Sequence, residues 1–417
     1  MKRLRDWMRQ LGPGLITGAA DDDPSGIATY SQAGAQFGFL TLWTIVFTYP
    51  LMVGIQLVSA RIGRVTGHGL ASNIGRSFPR PIVYGIATLL VLANTFNIAA
   101  DIAAMGESLQ LVVGGPPHAY AVLFGILCLL LQVFLSYRRY VRYLKWLTLA
   151  LLSYVLVLFT IRIPWHLVVA HTVTPHFTLG ADYLTVVVAV FGTTISPYLF
   201  FWQAAQEVEE LNADPNAGAL AHAPDGADGH LRRIKIDTYL GMAFSNVVAF
   251  CIMLATAATL NAAGMTEITT SAQAAEALRP LAGNLTFLLF ALGIIGTGLI
   301  AVPVLAGSAA YAVAECFEWK RSLDLKLLEA REFYAIIALA TLGGVALDFS
   351  PIDPIRALFW SAVANGVIAV PIMVIMMLLA DDPKVMGRFT AKRSLKALGW
   401  LATGTMAAAV AAMFATW

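Results

Sequence analysis

Three consecutive carboxylates, Asp21, Asp22 and Asp23, lie inside the first apolar segment of this chain and are followed at once by Pro24, Ser25 and Gly26. A carboxylate at membrane depth is costly. It persists where it faces a water-filled cavity, a bound ion or a proton path. Pro24 removes a helical donor and Gly26 weakens the helix at the same place, so backbone carbonyls are freed beside the acids. Clustered carboxylates and free carbonyls in a broken apolar helix suggest a cation site near the bilayer midplane. A second apolar segment, Asp182 to Trp202, is interrupted in the same way: Gly192 and Pro197 bracket the polar run Thr193 to Ser196. Pro197 frees carbonyls around Thr193. Paired interruptions at corresponding places point to a transporter binding site.

The elements that must position these residues are membrane helices. The chain is 58% hydrophobic and only 12% charged, against about 25% charged in soluble proteins. It therefore reads as one polytopic bundle. Apolar stretches of about 20 residues mark spans, near residues 12–36 (interrupted), 39–62, 82–112, 118–136, 143–163, 182–210 (interrupted), 236–260, 284–316, 333–348, 355–379 and 395–415. Alternate connections hold Arg61, Arg64, Arg76 and Arg80, then Arg138, Arg139, Arg142 and Lys145, then Arg232, Arg233 and Lys235, then Lys320, Arg321, Lys326 and Arg331, then Lys384, Arg388, Lys392, Arg393 and Lys396. The N-terminus adds Lys2, Arg3, Arg5 and Arg9, and the other loops are nearly free of such charge. This bias predicts a cytoplasmic N-terminus, an extracytoplasmic C-terminus and a multi-pass protein of the plasma (inner) membrane.

Interruptions in spans one and six divide the chain into two five-helix units. Because each unit holds an odd number of helices, the second is inverted relative to the first. The expected organisation is residues 1–163 for the first inverted repeat, 164–380 for the second and 381–417 for an additional eleventh helix. Cys128, Cys251 and Cys316 lack metal-ligand spacing and read as packing residues. The basic segment Met1 to Gln10 is not followed by a small-residue cleavage site before the acids, so no cleavable signal is expected. No basic stripe suggests nucleic acid, no nucleophile–base motif or phosphate loop suggests an enzyme, and nothing requires more than a monomer. His166, His171 and His176, five apart, read as loop residues, and Asn212 to Gly229 as a flexible connector.

Gly12-Pro13-Gly14-Leu15-Ile16, with Asp23-Pro24-Ser25-Gly26, resembles the first helix of the Nramp family of divalent metal transporters, where the signature is Asp-Pro-Gly-Asn. Gly192-Thr193-Thr194-Ile195-Ser196-Pro197-Tyr198 is similar to that family's sixth-helix Gly-Ala-Thr-Val-Met-Pro-His. Asp101 to Gly106 resembles its third-helix Asp-x-x-Glu-Val-Ile-Gly, Ile236-Asp237 the opening of its seventh helix, and Asp381 to Gly387 its turn after helix ten. The resemblance spans almost the whole chain. It implies an all-α LeuT-like fold: a 5+5 inverted repeat plus an eleventh helix, with helices one and six interrupted.

The resemblance also implies a ligand set and its departures. The family's metal-binding Asp falls on Asp23 and its carbonyl donor on Thr193. Its Asn falls on Gly26, its Met on Ser196, its sixth-helix His on Tyr198 and its third-helix Glu on Ala104, while the preceding Asp is kept as Asp101. A thioether favours soft transition metals, and oxygen ligands favour hard Mg²⁺, Ca²⁺ and Mn²⁺. Mg²⁺ keeps several waters and contacts one or two carboxylates. A roomy site of Asp23, the Thr193 carbonyl, Ser196 and Asp22 suits such an ion. The pattern resembles the Nramp-related magnesium transporters, a branch that lacks the Met and is not proton-coupled. The expected function is alternating-access import of a divalent cation, Mg²⁺ with Mn²⁺ as a further substrate, without protons and without a cofactor. The alternatives are a conventional proton-coupled Mn²⁺/Fe²⁺ importer and a carrier of organic solutes of the amino-acid type.

Each remaining polar residue has a plainer reading. Asp21 and Asp22 solvate a vestibule or cap the second half-helix. Asp101, Glu107 and Tyr198 are candidates for a proton or ion pathway. A buried structural hydrogen bond is the competing account of Asp101 and the better one for Glu107. Asn94 and Asn97 line the path or join helices. Asn365 lends an oxygen to the site or simply packs.

Overall fold

The computed structural model describes residues 17–18, 20–134, 147–213, 217–350 and 353–417. The N-terminal basic residues, the basic cluster 138–145 and the start of the first span lie outside the described residues. In hydrocarbon every backbone donor and acceptor must find a partner within the protein. The described residues meet this demand with helices and no strands. We label the principal ones α1 (Pro24–Phe37), α2 (Leu42–Thr66), α3 (Arg80–Val113), α4 (Pro117–Phe134), α5 (Leu152–Val157), α6 (Ala181–Thr194), α7 (Pro197–Asn212), α8 (Ala227–Thr259), α9 (Thr286–Cys316), α10 (Arg331–Asp348), α11 (Pro354–Asp381) and α12 (Arg393–Thr416).

Eight helical stretches among the described residues are long and apolar enough to cross a membrane, fewer than the eleven spans expected. The difference has local causes. α1 and α2 run together as one stretch, Pro24–Thr66. α10 has only 18 residues and includes Arg331, Glu332 and Asp348. The fifth span begins outside the described residues, which leaves the 3-10 turn Leu147–Leu151 and α5.

Helix lengths set the depth of the breaks. α3, with 34 residues, is about 50 Å long and crosses the roughly 30 Å core outright. α1 and α6 have 14 residues each, about 21 Å, and cannot cross alone. α6 stops at Thr194, α7 restarts at Pro197, and extended backbone at Ser196 lies between them.

Close backbone approach locks the half-helices to their neighbours. A Cβ on Gly34 of α1 would lie 2.3 Å from the Met253 carbonyl oxygen of α8, and one on Gly63 of α2 would lie 2.4 Å from the Ala204 carbonyl oxygen of α7. α1 on α8 joins spans one and seven, and α7 on α2 joins spans six and two, which are equivalent pairs in an inverted repeat. Gln56 and Ser59 of α2 donate to the Leu199 and Phe200 carbonyls at 3.1 and 2.5 Å, which fixes α7 further.

Described arginine-rich connections are joined to one another. The backbone N–H groups of Leu220 and Ala221 donate to the Arg64 and Val65 carbonyls, so the connector read as flexible is pinned where it is described. Arg61 donates to the Phe389 carbonyl at 3.0 Å. α8 starts at Ala227, well before the expected residue 236. At the opposite end Trp43 donates to the Tyr183 hydroxyl at 2.9 Å. There, His166 and His171 sit on a short helix, Trp165–Val173, rather than a loop.

Candidate metal site at two broken helices

The acidic run splits its three side chains between two sides of the break. Asp23 is the N-cap of α1, and its Oδ1 accepts from the Gly26 N–H at 2.7 Å and the Ser25 hydroxyl at 2.6 Å. Its Oδ2 accepts from Asn97 Nδ2 at 3.3 Å and from the Tyr198 hydroxyl at 3.2 Å. A carboxylate offers about four lone-pair sites, and all four here have protein donors. The cap role expected for Asp21 or Asp22 therefore belongs to Asp23.

Asp21 and Asp22 face α8 instead. Ser245 Oγ lies 2.6 Å from Asp21 Oδ2 and 3.0 Å from Asp22 Oδ1. One hydroxyl has one proton, so it serves one carboxylate at a time. Asp21 Oδ1 and Asp22 Oδ2 are buried with no hydrogen-bond partner. Both residues are at most 2% exposed, which removes the vestibule reading. No described lysine or arginine forms an ion pair with Asp21, Asp22, Asp23 or Asp101.

α3 brings two groups to this centre. Asn97 and Asp101 are four apart and share a face. Asp101 is fully buried with both carboxylate oxygens unpartnered. It interacts electrostatically with Asp23 and Tyr198. Asn94 joins helices instead, donating to the Leu305 carbonyl and to Ser308 Oγ, both at 2.8 Å. Glu107 is not brought to the break: it accepts from Ser271 Oγ at 2.6 Å and ties α3 to the short helix Ser271–Ala275.

The sixth-helix break supplies oxygen atoms. Ser196 Oγ lies 2.7 Å from the Thr193 carbonyl and 2.9 Å from the Gly192 carbonyl, turned back on its own chain. Thr194 Oγ1 and the Tyr30 hydroxyl are 3.1 Å apart, joining α6 to α1. Asn365 of α11 is buried with its amide nitrogen unpartnered. Its neighbour Gly366 lies against Gly192: a Cβ on Gly192 would be 2.4 Å from the Gly366 nitrogen.

Gly26 does not leave the open space expected from the missing asparagine. A Cβ there would lie 3.3 Å from Thr193 Oγ1, 3.3 Å from Tyr30 Cε2 and 3.4 Å from the Asp21 carbonyl oxygen. The Tyr30 ring and Thr193 have closed the gap. The space beside Gly26 is therefore filled in this conformation.

Both ends are shut. Toward the arginine-rich end, Tyr198 spans from Asp23 to the Ala20 carbonyl, at 3.4 Å from the latter. Thr17 Oγ1 donates to Gln203 Oε1 at 2.5 Å, and Arg233 grips Glu207 at 2.7 Å and Glu210 at 2.5 Å. Toward the other end the Tyr30–Thr194 bond closes the centre. Beyond it a cavity of about 230 Å³ opens between α1 and α11, with Gln32, Gln36 and Trp360 in its walls.

The sequence pattern had singled out Asp23, Asn97, Thr193, Ser196 and Tyr198, and the structure brings them together. It also brings Ser245 and Tyr30, which that pattern had not assigned. The Ser245-Asn246 pair inside an apolar run was the available signal for the first. Two half-helices meeting over buried carboxylates are the arrangement of the LeuT-like fold. The nucleobase-cation-symport-1 transporter Mhp1 has this fold too, with a TM-score of 0.53 at 13% identity, over 98% of this chain and 92% of that one. A manganese transporter from Eremococcus coleocola fits better, with a TM-score of 0.73 at 19% identity over 98% of this chain and 87% of that one.

The family described as natural resistance-associated macrophage protein-like, Nramp, matches residues 14–416. The chain belongs to the Nramp family. The divalent metal cation transporter MntH of Mycobacterium tuberculosis is 27% identical over 406 residues, covering 94% of this chain and 87% of that protein. MntH of Burkholderia ambifaria is 26% identical over 414 residues, covering 94% and 85%. Family membership places the chain among transporters and not among enzymes.

Proposed function

We propose that this protein carries a divalent metal cation across the plasma membrane by alternating access, with Asp23 as the principal ligand. The observation that carries the reading is a set of four buried carboxylates at a double helix break with no described cationic partner. Such charge is retained where a proton or cation neutralises it. An arriving ion displaces Asn97 and Tyr198, the two longest donors, from Asp23 Oδ2. The N-terminus of α1 meanwhile keeps Oδ1 in place. The Thr193 carbonyl and Ser196, with Asp22 and Asn365 on the neighbouring elements, complete or orient the shell, and Gly26 sets the close approach of the two breaks.

We assign Mg²⁺, with Mn²⁺ as a second substrate, because the hydrogen-bonding groups at the break are oxygen and nitrogen, with serine where a thioether is expected. Uptake is read as uncoupled from protons, since tyrosine and alanine stand in the family's His and Glu places. An interior-negative potential supplies about 4.6 kcal/mol per 100 mV for a divalent ion, enough to drive import. This reading places the arginine-rich end and the N-terminus in the cytoplasm and the C-terminus outside. It treats residues 1–163 and 164–380 as the repeats, 381–417 as the added helix, and the protein as a monomer.

One observation favours a transition-metal importer. The Met105 sulfur and the Pro24 ring both abut Gly298, so a thioether lies beside the first break. Recording Mg²⁺ and Mn²⁺ uptake in proteoliposomes, with internal pH followed, separates the two for wild type and Met105→Leu. Uptake of both ions by both proteins without acidification supports the proposal. Mn²⁺ uptake alone, lost in Met105→Leu or accompanied by acidification, rejects it.

A further inference from the structure

At the arginine-rich end a cavity of about 550 Å³ lies between α2, α8 and the start of α12. Arg61, Arg232, Lys235, Arg388 and Lys392 line it, against a single acid, Asp228. Three other cations at this end have acid partners: Arg233 has Glu207 and Glu210, Arg321 has Glu315, and Lys396 has Asp381. Within the cavity, Arg61 is held by the Phe389 carbonyl, Lys235 lies over the Tyr239 ring and Arg388 over the Phe389 ring. None of these partners carries negative charge. The lining thus carries five cations against one acid, an excess of positive charge with no described acid in an ion pair to it.

The other walls say which kind of anion. Leu57, Ile234, Leu395 and Leu398 give the cavity an apolar flank. That flank continues along the membrane-facing side of the bundle, where Tyr239 and Leu240 of α8 and Trp400 and Leu401 of α12 are exposed. A soluble anion needs only the charged mouth. A phosphodiester with acyl chains uses both parts, its headgroup on the cations and its chains along the exposed apolar strip. The cations lie within about two turns of the ends of apolar helices long enough to cross a membrane, where lipid headgroups are met.

We propose that this cavity binds an acidic phospholipid, which fills the cleft between α12 and the rest of the bundle. The inference is independent of which ion is carried. The test is native mass spectrometry of the full chain, purified in detergent and supplied with equal phosphatidylglycerol and phosphatidylcholine. Wild type is expected to retain phosphatidylglycerol at least tenfold over phosphatidylcholine. The triple variant Arg232→Gln/Arg388→Gln/Lys392→Gln should lose that preference at least tenfold. A control that removes exposed charge at the same end, Lys326→Gln/Arg331→Gln, should keep it. Equal retention in the triple variant, or equal loss in the control, overturns the site. Displacement of the lipid by millimolar inorganic phosphate overturns the lipid assignment in favour of a free anion. Circular dichroism of each variant establishes that the helices are intact.

Discussion

Replacing Tyr198 by phenylalanine should tighten metal binding. In the closed conformation the Tyr198 hydroxyl donates to Asp23 Oδ2 at 3.2 Å and also lies 3.4 Å from the Ala20 carbonyl. An ion that binds Oδ2 must displace this donor. A hydrogen bond to a charged group contributes about 1.5–3 kcal/mol. This one is long and its single proton is shared between two acceptors, so a value of about 1–2 kcal/mol is expected. Its loss destabilises the metal-free state and leaves the bound state untouched. The expected gain in affinity is therefore about 5- to 30-fold. Isothermal titration of purified protein with Mn²⁺ and Mg²⁺ measures it directly. Weaker binding in Tyr198→Phe would make the phenol a ligand and refute the displacement scheme. Unchanged affinity would mean that the ion does not reach Oδ2.

Ser245→Ala removes the one hydroxyl that serves Asp21 and Asp22, and should cost about 1–3 kcal/mol, read as a lowered Tm in detergent. Gly26→Asn, which restores the family residue, should destabilise by a similar amount through overpacking against Tyr30 and Thr193, and should not strengthen Mg²⁺ binding. Arg233→Ala strips the cation from the fully buried Glu207 side chain. A loss of about 3–5 kcal/mol follows from the unpaired charge, with faster labelling of a cysteine placed at Gln203 from the arginine-rich side. Glu107→Gln should leave transport within about twofold, since its carboxylate bonds Ser271 and not the ion path.

Much of the fold was legible because membrane depth forces long apolar runs, and Pro24 and Pro197 break them at matching places. The ends were less so. α8 begins at Ala227 in a stretch that reads as connector, because helix there is fixed by packing rather than by apolar pattern. Of the centre, Asp23, Thr193 and Ser196 follow from the two breaks. Which way each neighbouring acid points does not. Adjacent residues on a bent backbone diverge, and only the position of Ser245 on a helix far along the chain turns Asp21 and Asp22 toward α8. Gly26 is the clearest lesson. A missing side chain implies space only if nothing else fills it, and the Tyr30 ring, four residues on, lies against that position.

The measurement that bears most directly on the account is Mg²⁺ and Mn²⁺ uptake into proteoliposomes under an interior-negative potential, for wild type and Asp23→Ala matched in reconstituted amount. The account predicts uptake of both ions by wild type and its loss in the variant, with the variant still helical. Undiminished uptake by Asp23→Ala, or no uptake of either ion by wild type, would contradict it.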